Sequence, residues 1–138
     1  MVRHKTDKYY LKSQNIFTPK KPKKDAFEGE IYVLINGSSF SASSVISAKL
    51  KYDKRARIIG EETGGANDGT VAGIYSTQKL PNSKLKLPIG LFLVQPNIEF
   101  THTMKGVTPD VEIKPNFQQI LERKDVELEW ILKEIKGK

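Results

Sequence analysis

Cysteine is absent from the 138 residues, which excludes a disulfide framework, a cysteine nucleophile and every Cys-ligated metal or iron–sulfur centre. Histidine is nearly so: His4 and His102 lie far apart, with no acidic ligands clustered at a metal-binding spacing, so neither a metal nor another cofactor is expected. Long apolar runs are missing too. The longest, Ile31 to Ile35, is far below the roughly 20 residues a membrane-spanning helix needs. Met1 is followed by Val2, Arg3, His4 and Lys5, which make no apolar core of a secretory leader.

Acidic residues are short in one place only. Residues 1–25 carry eight Lys/Arg against Asp7 and Asp25, whereas residues 26–138 carry 15 basic and 14 acidic groups. The formal charge of +7 therefore belongs to an N-terminal arm, and the body is close to neutral. Tyr9, Tyr10 and Phe17 give the arm some stacking capacity, but no helix-turn-helix or RNA-binding aromatic motif accompanies it, so nucleic acid is not the expected partner. We read residues 1–27 as a basic arm or linker and 28–138 as one folded unit, which at 38% apolar residues has the composition of a globular domain.

Within that unit, Ile31-Tyr32-Val33-Leu34-Ile35 is β-branched, aromatic and aliphatic throughout, the pattern of a strand covered on both faces. Asn36-Gly37 breaks it. From Ser41 onward, Ala42, Val45, Ile46 and Leu50 recur at helical spacing, and Arg55 to Gly60 reads as a second buried strand. Residues 31–60 thus predict a βαβ unit with parallel strands in an α/β fold, its helix beginning within two residues of Ser41. Beyond the glycine-rich loop Glu62 to Gly69, the segments Thr70–Leu80, Lys84–Leu87 and Ile89–Val94 predict antiparallel strands, and Asp125 predicts the cap of a C-terminal helix carrying Leu128, Ile131, Leu132 and Ile135.

Six serines fall between Ser38 and Ser47, at the junction of the predicted strand and helix. Two readings share that geometry. One hydroxyl can satisfy an orphan N–H of the first helical turn, or a serine can lie beside free N–H groups and the positive end of the helix dipole, where an oxyanion is stabilised.

The ordered segments Ile31 to Asn36, Ser41-Ala42-Ser43, Ile59 to Gly65, Leu80 to Leu85 and Gly106-Val107-Thr108-Pro109-Asp110 resemble the motifs of the tail-specific, or carboxyl-terminal processing, serine peptidases, over about residues 28–115. The resemblance implies a Clp-protease/crotonase-like core and hydrolysis of polypeptide through a serine nucleophile, with residues 28–138 as the C-terminal half of the catalytic domain. Location in the cell envelope or outside the cell goes with it. Carried over by motif, Ser41 is the nucleophile, the Ala42 N–H donates to the oxyanion, and Thr63, Gly64 and Gly65 shape the substrate groove. Where one branch of the family places a catalytic lysine, this sequence has Ala66, so a Ser–Lys mechanism is not expected. Thr63-Gly64-Gly65 is similar to the tricorn-like branch, whose orienting carboxylate position is occupied by Thr103. Neither the expected histidine nor a glycine of the oxyanion hole has a match; His102 and Glu99 are the nearby substitutes. The chain alone is accordingly expected to be inactive, and to associate with itself or with the missing half of the domain. A non-catalytic peptide-binding module with the same fold is the alternative.

Overall fold

The structure, a computed structural model, describes residues 2–3, 9–10, 21–99 and 104–137. Two short strands, β1 (Val2–Arg3) and β2 (Tyr9–Tyr10), pair antiparallel within the arm. The central unit follows as β3 (Tyr32–Ile35), helix α1 (Ala42–Tyr52) and β4 (Arg57–Gly60). Strands β3 and β4 are parallel in the register Tyr32↔Arg57 to Ile35↔Gly60, so the predicted βαβ unit is present with its helix starting one residue after Ser41.

Two antiparallel ladders come next. β5 (Thr70–Val71) pairs not with its sequence neighbours β6 (Tyr75–Lys79) and β7 (Lys86–Gly90), which pair with each other, but with β8 (Leu93–Val94). The single strand expected over Thr70–Leu80 is thus divided, with the break at Gly73 in a positive-φ conformation. β9 (Val111–Glu112) then adds a third parallel strand beside β4, giving the order β3-β4-β9. The chain closes with α2 (Phe117–Leu121), held by a capping box between Asn116 and Gln119, and α3 (Val126–Lys136), whose first turn is capped by the Asp125 carboxylate accepting from the Leu128 N–H.

Ile35, Ala48, Ile58 and Val107 form the core, with Val33, Ala56 and Ile98 packed against it. Ile58 and Ile59 point to opposite faces of β4 and both are fully buried, as befits the middle strand. Arg57 ties α3 to this strand: its guanidinium lies 4.9 Å from the centre of the Trp130 ring and 2.6 Å from Glu134 Oε1.

Two expectations about coverage fail. β3 is buried on one face only, since Leu34 is 45% exposed; as the edge strand it lies beyond the cover that the central β4 receives. In α1, Ile46 is 57% exposed and Ala42 is exposed, whereas Ser44, Ser47 and Ala48 are buried. Small side chains bring the helix backbone close to the sheet, and the bulkier stripe is left half outside.

Candidate active site

In a parallel α/β sheet, functional groups gather at the carboxyl ends of the strands, because that is where loops and helix N-termini converge. Here the turn Asn36–Phe40 follows the carboxyl end of β3, and the loop Glu61–Gly69 follows that of β4. Ser41 closes the first of these turns with φ 53° and ψ −113°, a left-handed conformation unusual for a residue with a Cβ. The Asn36 side chain shapes the turn by accepting from the Ser38 N–H, and Ser39 Oγ accepts from the Asn36 N–H.

Ser41 is the N-cap residue of α1, yet its hydroxyl makes no capping bond. Of the two readings of the serine cluster, the one in which a hydroxyl caps this helix does not hold. At this φ and ψ the side chain turns away from the first helical turn, and Ser44, the buried candidate, donates instead to the Ser39 carbonyl at 3.1 Å. The Ser43 N–H is satisfied by Phe40 O and the Val45 N–H by Ser41 O. Among the described residues the Ala42 N–H has no acceptor, and Ser41 and Ala42 are both exposed. A hydroxyl that makes no capping bond thus stands next to a free amide at the positive end of an 11-residue helix dipole.

The loop after β4 is the support for this turn. Gly65 donates to Ser39 O at 3.1 Å, and a Cβ on it would lie 2.3 Å from Ser44 Oγ and 2.9 Å from Ser41 N. A Cβ on Gly64 would lie 2.2 Å from Gly37 O. Gly64 is required by the close approach of another backbone, and Gly65 by that of the Ser44 hydroxyl and the Ser41 backbone together. Thr63 is buried and braces the loop from below: its hydroxyl donates to Gly65 O at 2.7 Å and accepts from the Val107 N–H at 2.7 Å, while its own N–H donates to Val107 O. Glu62 accepts from the Gly106 N–H, and Ala66 forms a bridge with Gly106.

Thr108-Pro109-Asp110 continues from this contact toward the other end of the sheet. Asp110 accepts from the Ile58 N–H at 2.8 Å and pairs with Lys51 at 3.0 Å, fastening β4 to α1. Partial burial pushes its carboxyl upward, but the Ile58 N–H and the Lys51 ammonium, aided by the charge of Arg57, outweigh this and hold it below its ordinary value of 3.8.

The structure therefore brings Ser41, Ala42, Gly64 and Gly65 into one neighbourhood and gives Thr63 a buried bracing position beneath them. Sequence reasoning missed Thr70, whose Oγ1 donates to Ser41 Oγ at 3.2 Å; the two are 29 residues apart and no local pattern links them. His4, His102 and Thr103 lie outside the described residues. Glu99 is exposed and lines a cleft with Tyr52, Asn67, Ile98 and Lys105. A larger cleft, of about 550 Å³, is lined by Glu28–Tyr32, Lys51, Lys54–Arg57 and Asp110 at the amino ends of β3 and β4. Ser41 lines neither.

A strained serine at a strand-to-helix turn of a parallel α/β sheet, braced by a glycine pair, is the arrangement in which hydrolases present a nucleophilic hydroxyl. More narrowly, the chain belongs to peptidase family S41, whose family model matches residues 2–113 and so includes most of the basic arm. Among solved structures, that of mature CPAF complexed with lactacystin superposes with a TM-score of 0.59 at 22% identity, covering 84% of this chain and 22% of that one. A second structure of mature CPAF gives a TM-score of 0.50 at 24% identity, over 72% of this chain and 18% of that one. The likeness is one of fold, and this chain spans only about a fifth of the CPAF chain. No curated protein matches it.

Proposed function

We propose that this chain is the nucleophile-bearing part of a tail-specific serine peptidase with a crotonase-like core, acting on polypeptide through Ser41. The observation that carries the proposal is the conformation of Ser41, which lifts an uncapped hydroxyl beside the unpaired Ala42 N–H. In the reaction, Ser41 Oγ attacks the scissile carbonyl carbon as its proton passes to a base, and the Ala42 N–H donates to the carbonyl oxygen as it becomes negative. Collapse breaks the C–N bond and the amine departs with a proton. Water then hydrolyses the acyl ester by the same route. Gly64, exposed at the rim of the loop, borders the groove while the buried Thr63 and Gly65 support it from beneath, and the substrate lies there as an added strand.

Among the described residues Ser41 Oγ touches no imidazole, lysine or carboxylate, and Ala66 occupies the lysine position. In this reading the base is His102, outside the described residues, or a group from a further part of an S41 domain. The same observation favours a second reading, a peptide-binding module that keeps the groove without the chemistry. A fluorophosphonate, which acylates activated serines, separates the two. Residues 1–138 alone are expected to cleave unfolded polypeptide too slowly to detect, because oxyanion binding without the triad leaves only about 10³- to 10⁴-fold over water. A longer chain that completes the domain is expected to cleave it and to label at Ser41, with Ser41→Ala abolishing both and Ser43→Ala sparing both. Completion without labelling would leave the binding module as the answer.

A further inference from the structure

We propose that Thr70 is a positioning residue for Ser41, holding its hydroxyl in one rotamer. The inference rests on the reading of Ser41 as nucleophile. It starts from the path of the loop between β4 and β5, which begins beneath the Ser41 turn, where Gly65 abuts Ser41 N, and ends above it, where Thr70 Oγ1 meets Ser41 Oγ. Both ends are fixed independently of Ser41. The lower end is tied through Thr63 to Val107 and through Ala66 to Gly106. The upper end is tied by the pairing of Thr70 with Val94 and by the Gln95 side chain donating to Asp68 O at 2.9 Å. Thr70 itself is half-buried and β-branched on a strand, so its χ1 is restricted before it meets Ser41.

A serine hydroxyl has one proton and two lone pairs. When Thr70 donates, one lone pair is occupied, the other remains free to attack, and the Ser41 proton is left for a base on the opposite side. At 3.2 Å the bond is long for a hydroxyl pair, so it selects an orientation more than it adds binding energy. Nothing else among the described residues restrains that hydroxyl, because the capping bond that would ordinarily hold an N-cap serine is absent.

The test compares Thr70→Val, which keeps the shape and loses the hydroxyl, with Thr70→Ser, which keeps the hydroxyl. The first readout is the pair of Ser41 Hα–Hβ couplings by NMR, which report its χ1 rotamer whether or not the chain is active. The second is the rate of fluorophosphonate labelling of the domain-completed chain. The parent and Thr70→Ser should give the couplings of one rotamer, and Thr70→Val those of an average. Labelling should slow about threefold in Thr70→Val and recover in Thr70→Ser, the scale of a weak neutral hydrogen bond. If Thr70→Val does not fold, Thr70→Ala takes its place. One Ser41 rotamer in the variant that lacks the hydroxyl, or averaging already in the parent, overturns the proposal. Couplings that behave as expected while no variant labels would retain the contact and refute the nucleophile reading.

Discussion

Placing a methyl group on Gly65 tests whether the loop after β4 holds the Ser41 turn in place. The added carbon would stand 2.3 Å from Ser44 Oγ, 2.9 Å from Ser41 N and 3.1 Å from Phe40 Cα. Rotating Ser44 relieves only the first of these, and it breaks the bond from Ser44 to Ser39 O. The other two are backbone atoms, so the loop and the turn must separate. Overpacking of this kind costs about 1–3 kcal/mol, and alanine returns about 0.4–1 kcal/mol by restricting the unfolded chain. The net loss is about 1–2 kcal/mol, or roughly 3–8 °C in Tm for a domain of this size. Gly37→Ala is the control, because a Cβ there meets nothing within 4 Å, and its Tm should match the parent or exceed it slightly. Adding Ser44→Ala to Gly65→Ala should recover only part of the loss, since the Ser41 and Phe40 contacts persist. Thermal unfolding of the four proteins at neutral pH decides the matter. A Gly65→Ala midpoint equal to that of the parent would show that the two backbones are not in contact, and the bracing argument would fall with it.

Two further outcomes follow from the same geometry. Ser41→Gly should be more stable than Ser41→Ala by about 1 kcal/mol in denaturant titration, because both lose the Thr70 contact and neither loses a capping bond, but glycine relaxes the strain at φ 53° whereas alanine keeps the Cβ; a larger loss in the glycine variant would refute strain there. The Asp110 carboxyl, held below its ordinary 3.8, stabilises the fold above that value and ceases to do so as pH falls through its lower native one. Asp110→Asn should therefore lie below the parent by up to about 1 kcal/mol at pH 7, the worth of a partly exposed ion pair, with the gap in Tm closing as pH falls below 3.8 and through the lowered native value; a gap independent of pH would refute the stabilised carboxylate.

The βαβ unit was legible because both its strands are unbroken apolar runs and the helix between them has the right period. Asp125 announced α3 for a similarly local reason, a carboxylate positioned to accept from the Leu128 N–H. The face that α1 buries was not legible. Periodicity marks where large apolar residues recur, while this helix packs through Ser44, Ser47 and Ala48, and only the width of the gap to the sheet makes small residues the better fit. β9 was missed because two residues carry no pattern, and its position beside β4 depends on Asp110 N donating to Ile58 O. At the site, Ser41 and Ala42 came from a motif. The left-handed backbone of Ser41 and its contact with Thr70 are set by residues distant in the chain, and a local reading does not reach them.

The tie between Thr63 and Val107 crosses 44 positions of sequence, and the Ser41 turn rests on it through Gly65. A chain emerging from synthesis completes β3, α1 and β4 long before residue 107 exists. Until then Thr63 lacks the two bonds it shares with Val107, and the loop that supports the left-handed serine is without its brace. The shape of the Ser41 turn is thus tied to a contact that closes only once residue 107 is in place, so a local feature of the first βαβ unit depends on the far end of the sheet.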